Sequence, residues 1–362
     1  MKILVYSASG IGDLVFTLPV INLLKDKLDC KIDLLIGGTK NNVNYINQLS
    51  LICNNAVSRV FYYNSKEIIH DLFMLFLLKK QNYDYCIVLR YNGQPYSIFA
   101  EKIINLCCSR VIAVKNFLPF HSKLNVTTSV LLPKSDKIMH CVESYFLPLS
   151  ALNIDYQTNI SKYFHNLFKK EKLGKTPLSF SSFIKKNNYV TICIGANPIS
   201  RKVNGKIIQN NVKIWNIENW ISLSTRLLDV GINVVFLGGK KEKQMLLSAN
   251  LPKKENFLNL TGSLSLAESV NVLHNSSIVI GCDTGLMHIA ASLNVSSIFL
   301  LGPTSPTQSS GYSENCDTIF LHYNCAPCFG TGRDLACKEN ICIRNITVDS
   351  VYHKVLNKIN LT

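Results

Sequence analysis

No apolar run in this chain is long enough to cross a membrane. The longest, Ile68 to Leu78, is interrupted by His70 and Asp71, whereas a spanning helix needs roughly 18–20 apolar residues. The opening MKILVYSASGIGD has neither the apolar core nor the small-residue cleavage site of a secretory leader. It reads as a first β-strand, and the expected location is the cytoplasm. Acid is scarce: 23 Asp and Glu stand against 38 Lys and Arg, a net charge of +15. The excess peaks at residues 166–213, with ten basic side chains and one acid, Glu171. Such a surface suits an anionic membrane or a phosphorylated or carboxylated substrate, or is a solvated basic linker. No helix-turn-helix, zinc-finger or RNP-like pattern accompanies the charge, so nucleic acid is not an expected partner. A disulfide framework is missing as well. The 13 cysteines are mostly scattered, and Cys30, Cys86, Cys193 and Cys282 fall in apolar segments, where cysteine behaves as a small hydrophobe. Without a leader, a reducing compartment is expected.

What is present is alternation. The 362 residues, 47% hydrophobic and 17% charged, suit a globular chain of two domains of about 150–200 residues. Short apolar runs predict strands at Lys2–Ser7, Ile32–Ile36, Arg59–Tyr63, Tyr85–Arg90 and Arg110–Val114, with helical patterns between them. The helix from Gly12 to Leu28 contains Pro19, which is expected to kink it or mark its first regular turn. A polar, aperiodic stretch at about 160–188 reads as a linker. Alternation then restarts, with strands at Tyr189–Ile194, Val234–Leu237, Ile278–Cys282 and Ser297–Leu301 and helices at Ile217–Val230, Leu266–His274 and Thr284–Leu293. Strand–helix alternation implies parallel sheets covered on both faces, an α/β class.

Four places could carry chemistry. In the turn Ser7–Asp13, Gly10 and Gly12 allow a ligand close to the backbone, and the following helix favours negative charge. A dinucleotide fingerprint is excluded, because Val15 stands where the third glycine belongs and Asp33 falls at the start of strand two rather than its end. Asp13 is either a helix-dipole partner or a general base at the carboxyl end of a sheet. At Gly281–His288 a strand ends, Asp283 takes the N-cap place, and Thr284 and His288 share a helix face. This is either a capped core helix or an anion site on the helix N-terminus. Lys213, before Trp215 and Trp220, closes the basic stretch and could reach a diphosphate. Last, Cys325, Cys328, Cys337 and Cys342 are spaced either to hold Zn or Fe or to form a reduced or partly oxidised structural loop.

Taken in order, these elements resemble the bacterial lipopolysaccharide heptosyltransferase family, glycosyltransferase family 9, over nearly the whole chain. The matching pieces are SGIGDLVFTLP (9–19), KIWNIENW (213–220), GGKKE ending at Glu242, LTGSLSL (260–266), DTGLMHIAA (283–291) with GPTSP (302–306), and CAPCF (325–329). The resemblance implies a GT-B fold, two Rossmann-like domains facing across a cleft. It implies an N-terminal acceptor-binding domain at 1–165, a linker at 166–188, a C-terminal nucleotide-sugar domain at 189–345 and a terminal helix at 346–362. The implied activity is inverting transfer of heptose from ADP-heptose to the inner core of lipopolysaccharide, a lipid-linked acceptor at the inner face of the inner membrane, with no further cofactor and no metal. Asp13 matches the proposed base. Lys213, Asp283, Thr284, Gly285 and His288 match donor-phosphate positions, and Glu242 and Leu264 match positions near the ribose and adenine. Arg90 and Arg110 suit the acceptor's carboxylates and phosphates. The run after Gly195 is longer than the family pattern, so no hydroxyl ligand is assigned there. A relative with another donor, or with a protein acceptor, is the alternative.

Overall fold

The computed structural model describes residues 1–38, 40–53, 57–64, 66–90, 97–118, 122–132, 138–173, 183, 189–203 and 206–359. The chain divides into two units, Met1–Lys172 and Leu173–Thr362. Residues 174–182 and 184–188 of the expected linker, and 360–362 of the expected terminal helix, lie outside the described residues.

The first unit runs β1 (Lys2–Ser7), α1 (Ile11–Lys27), β2 (Lys31–Gly37), α2 (Lys40–Ile52), β3 (Arg59–Tyr63), α3 (Ile68–Lys79), β4 (Tyr85–Val88), α4 (Ile98–Cys107), β5 (Val111–Val114), β6 (Thr128–Val130), α5 (Cys141–Phe146) and α6 (Ile160–His165). All its strands are parallel, in the order β3-β2-β1-β4-β5-β6. Ile3, Leu4 and Val5 of β1 are wholly buried, because helices cover both faces of a parallel sheet. The order reverses between β1 and β4, which opens a crevice at their carboxyl ends. α1 continues through Pro19 without a break, and every residue from Leu14 to Leu24 is buried. That packing offsets the ~3 kcal/mol cost of an interior proline.

The second unit runs β7 (Tyr189–Cys193), β8 (Ile199–Val203), β9 (Lys206–Asn210), α7 (Ile217–Asp229), β10 (Asn233–Leu237), α8 (Lys240–Met245), β11 (Phe257–Asn259), α9 (Leu266–Asn275), β12 (Ile278–Cys282), α10 (Gly285–Ser292), β13 (Ser297–Leu301), α11 (Pro306–Ser309), β14 (Cys316–Phe320), α12 (Arg333–Ala336), α13 (Ile341–Arg344) and α14 (Val348–Ile359). Its sheet is also parallel, ordered β11-β10-β7-β12-β13-β14. With β8 and β9 set aside, this is the strand order of the first unit, and the reversal falls between β7 and β12. The long run after Gly195 is an antiparallel hairpin, β8 on β9, pairing Ile199 with Asn210 and Val203 with Lys206. Val190, Ile192, Phe236, Ile280 and Leu300 form the core with Trp215, Trp220 and, from α14, Val351 and Val355. Gly231 ends α7 at φ +82°, a conformation that glycine adopts without strain. Among the described residues no helix is long and apolar enough to cross a membrane.

Candidate functional site

In the first unit, β1 ends at Ser7 and α1 begins after its N-cap Gly10. Asp13 falls in the opening turn of α1, at the crevice beside β1. Its carboxylate folds back over Gly10: a β-carbon added there would lie 2.6 Å from Asp13 Oδ2. The Tyr145 hydroxyl, on α5, donates to Asp13 Oδ1 at 3.0 Å. The backbone under Asp13 is fixed too, since Thr17 Oγ1 donates to the Asp13 carbonyl at 2.8 Å and shares a 2.6 Å hydrogen bond with Ser7 Oγ. Tyr145 is wholly buried, with Phe16 packed edge-on against its ring. Thus one carboxylate oxygen is held by a rigid donor and the whole group is set by glycine's missing side chain.

Arg90 follows β4, whose extension Leu89 donates its N–H to the Tyr6 carbonyl. Arg90 is therefore at the same carboxyl edge as Asp13, and it is buried. Arg110 is not. It precedes β5 and stacks its guanidinium over the Tyr85 ring, 5.6 Å from the centroid. Both residues mark the amino ends of their strands, so Arg110 sits at the opposite edge of the sheet. Asp33 is a structural acid: it is buried in β2 and accepts from Arg59 Nη2 and Tyr83 Oη, each at 2.7 Å.

In the second unit, β12 delivers Asp283 to the crevice and α10 starts behind it. The N-cap is Thr284, in extended conformation, rather than Asp283. Asp283 stands one residue earlier, and its carboxylate is engaged elsewhere. Lys213 Nζ donates to Oδ2 at 2.7 Å, and His288 Nε2 is 3.1 Å from Oδ1. Burial alone would push the Asp283 carboxyl up; the Lys213 charge and the His288 hydrogen bond outweigh it and hold the group well below the ordinary carboxylate range. Lys213 in turn is placed by its neighbours. Trp215 and Trp220 are wholly buried and meet edge to face at 4.6 Å. Trp215 Nε1 donates to the Ile346 carbonyl at 2.9 Å. Lys213 Nζ also lies 4.8 Å from the Phe329 ring centroid, a cation–π contact.

The remaining donor positions occupy loops at the same edge. Gly238 and Gly239 follow β10, and Gly239 N–H donates to Glu242 Oε2 at 2.7 Å. The other side of Glu242 rests on Gly195 at the end of β7, where a β-carbon would overlap the carboxylate. Gly262 N–H donates to the Gly238 carbonyl at 2.9 Å, so the turn bearing Leu264 lies beside the turn bearing Glu242. Leu264 is half-buried.

Cys325, Cys328, Cys337 and Cys342 line one cavity of about 430 Å³, and all four are free thiols. Burial first pushes Cys328 and Cys342 up to about 11, followed by the Asp334 carboxylate and then the neighbouring thiols for Cys328, and by the neighbouring thiols for Cys342, so both are protonated at neutral pH. Among the described residues no three His, Cys, Asp or Glu side chains converge to hold a metal ion. The loop is tied to the turn after β13: the N–H groups of Cys328 and Phe329 both donate to the Pro303 carbonyl, at 2.9 and 2.8 Å. Sequence reasoning missed Tyr145, which no motif marks, and missed that Phe329 of CAPCF lies against Lys213.

The sequence pattern of glycosyltransferase family 9 (heptosyltransferase) matches residues 134–338. Lipooligosaccharide heptosyltransferase 2 of Haemophilus influenzae is 28% identical over 221 residues, 54% of this chain and 64% of that one. Lipopolysaccharide heptosyltransferase 1 of Pseudomonas aeruginosa is 34% identical over 119 residues, 32% of each chain. The sequence matches thus span less than two thirds of those relatives' lengths. In structure, E. coli ADP-heptose lipopolysaccharide heptosyltransferase II superposes with a TM-score of 0.66 at 19% identity, covering 100% of this chain and 99% of that one. E. coli heptosyltransferase WaaC, solved with ADP, gives 0.67 at 17% identity, covering 99% and 100%. These likenesses assign the GT-B fold, and with the family pattern spanning more than half of the sequence, the chain belongs to glycosyltransferase family 9, the heptosyltransferases.

Proposed function

We propose that this protein is an inverting glycosyltransferase that moves heptose from ADP-heptose to the inner core of lipopolysaccharide. The observation that carries the reading is that each unit arms the reversal point of its own sheet, the first with a held carboxylate and the second with a clamped cation at a helix N-terminus. The roles divide accordingly. Asp13 takes the proton of the acceptor hydroxyl as that oxygen attacks the anomeric carbon. Tyr145 is a positioning residue that holds the carboxylate through Oδ1. The transition state has oxocarbenium character, and the departing diphosphate gains charge. Lys213 and the first-turn amides of α10 meet that charge. Asp283 does not face the phosphate; it orients Lys213, and His288 orients Asp283. Glu242, braced by Gly239 and Gly195, accepts the ribose hydroxyls, with Leu264 beside the adenine. Arg90 meets an anionic group of the acceptor. The lipid-linked acceptor places the enzyme at the inner face of the inner membrane, as a peripheral protein of the cytoplasm.

Calorimetric titration with ADP, UDP, GDP and CDP tests the donor half. Selective ADP binding, weakened at least about tenfold by Lys213→Ala, is expected, since a charge-assisted hydrogen bond is removed. Preference for another nucleotide overturns the donor assignment, and binding of none of the four overturns the transferase reading.

A further inference from the structure

The outward face of α3 is apolar. Ile69, Leu72, Phe73 and Phe76 recur at the spacing that puts side chains on one side of a helix. Each is more than half exposed, and Ile69 reaches 87%. Ile68 extends the stripe at its start. The inward side of the same helix is already used, because Met74 and Leu78 are buried in the core of the first unit. Asp71 is buried too, and its carboxylate accepts from the Asn64 N–H at 3.0 Å. The fold therefore needs one apolar face of α3 and has two. α4 packs beside α3 in the same core, through Ala100, Ile103 and Ile104. It adds Ile98 and Leu106, both exposed. Each helix starts at the carboxyl edge of the sheet, so Ile68, Ile69 and Ile98 stand at the edge that carries Asp13 and Arg90.

The charges around this surface have one sign. The exposed ionic side chains on the two helices and at their ends are Lys66, Lys79, Lys80 and Lys102, against Glu67 alone. Lys80 lays its ammonium 4.2 Å from the Phe76 ring centroid, the posture of a long cation that keeps its stem on apolar surface and its head in water. A convex apolar ridge rimmed by lysines matches the boundary between headgroups and acyl chains of an anionic bilayer. The apolar side chains enter the acyl region and the ammonium groups meet lipid phosphates.

We propose that α3, with α4 beside it, is the surface by which the first unit lies on an anionic lipid bilayer, setting its Asp13 edge next to the membrane. The purpose of this contact rests on the reading of a lipid-linked acceptor; its chemistry does not. The test is flotation of the full chain with vesicles of phosphatidylcholine alone or with phosphatidylglycerol added. Binding at least tenfold stronger to the anionic vesicles is expected. The combined Ile69→Gln, Leu72→Gln, Phe73→Gln and Phe76→Gln variant is expected to lose at least tenfold of it. Lys79→Gln, Lys80→Gln and Lys102→Gln together should weaken it severalfold and flatten its salt dependence. ADP titration of the same preparations shows that each variant is folded. Equal binding by the wild type and the fourfold variant, or none by the wild type, overturns the proposal. So does a dimer in sedimentation that the fourfold variant dissociates while vesicles are ignored, because the face then belongs to a second copy. Vesicle binding without ADP binding sinks the transferase reading and leaves the surface standing; ADP binding without vesicle binding does the reverse.

Discussion

In the first unit the connection from the first strand to the first helix takes three residues and leads to Asp13 in the first turn of α1; in the second, the same connection runs from β7 through a hairpin and carries Lys213 a few residues before α7. The strand order is shared and the position in the winding is shared, but the charge is opposite. The proposed roles follow that difference: an acid suits a place where a hydroxyl would lose a proton, and a cation suits a place where a diphosphate would leave. The means of holding each group differ as well. Asp13 folds over a glycine and accepts from a buried tyrosine, whereas Lys213 is held by a carboxylate and an aromatic ring, two residues ahead of the buried Trp215. A parallel sheet thus supplies the place, and the loops after its strands supply the chemistry.

The strongest way to break this division is Asp13→Ala. Transfer is expected to fall by roughly 10²–10⁴-fold, the usual worth of a general base, while calorimetry shows unchanged ADP affinity; parallel loss of both would mean that the units do not divide the work. Lys213→Met is the reciprocal test. ADP affinity should drop roughly tenfold to a hundredfold, as expected for a charge-assisted hydrogen bond. The same variant has a signature in stability. The Asp283 carboxyl is depressed in the folded protein. Its contribution is therefore present above the unfolded value of about 4 and is lost as pH falls through the lower folded value. Without Lys213 the folded value rises, so acid unfolding, followed by circular dichroism, should begin at a higher pH than in the wild type.

A matched pair of glycine substitutions sharpens the comparison further. Gly10→Ala drives a methyl into Asp13, and Gly195→Ala drives one into Glu242. Each is expected to cost about 1–3 kcal/mol of local overpacking. The first should appear in kcat and the second in ADP affinity, so steady-state kinetics and calorimetry tell them apart. Tyr145→Phe removes one hydrogen bond and should lower kcat about two- to tenfold without changing ADP affinity. Arg110→Ala, at the far edge of its sheet, should change transfer by less than about twofold, the ordinary outcome of a surface substitution.

The legible parts were those whose cause is local. DTGLMH follows directly on a strand end and holds an acid and a helix start within a few consecutive residues, and the structure brings Asp283, Thr284 and His288 together there. β12 and β13 have the bounds that their apolar runs suggest, because both faces of those strands are buried; β3 has them too, as an edge strand with Phe61 and Tyr63 inward. What was not legible depends on distance along the chain or on which end of an element is meant. Tyr145 reaches Asp13 across 132 residues, and Phe329 meets Lys213 only after the second sheet has formed. Arg110 was misplaced because a charge beside an apolar run does not say which edge of the sheet it joins. The kinship of the two units was hidden by the hairpin, which breaks the spacing between β7 and α7.

That hairpin is not a loose insertion. Asn210, at the end of β9, donates its side-chain amide toward three carbonyls, those of Asp334, Leu335 and Cys337, at 3.1, 3.2 and 2.7 Å. One amide thereby ties the hairpin to the loop whose Phe329 ring touches Lys213. Surface loops ordinarily drift in length and sequence without penalty. Here drift at the hairpin's exit would be felt at Lys213, so the two segments are expected to vary in step as lineages diverge, each change in one restricting what the other tolerates.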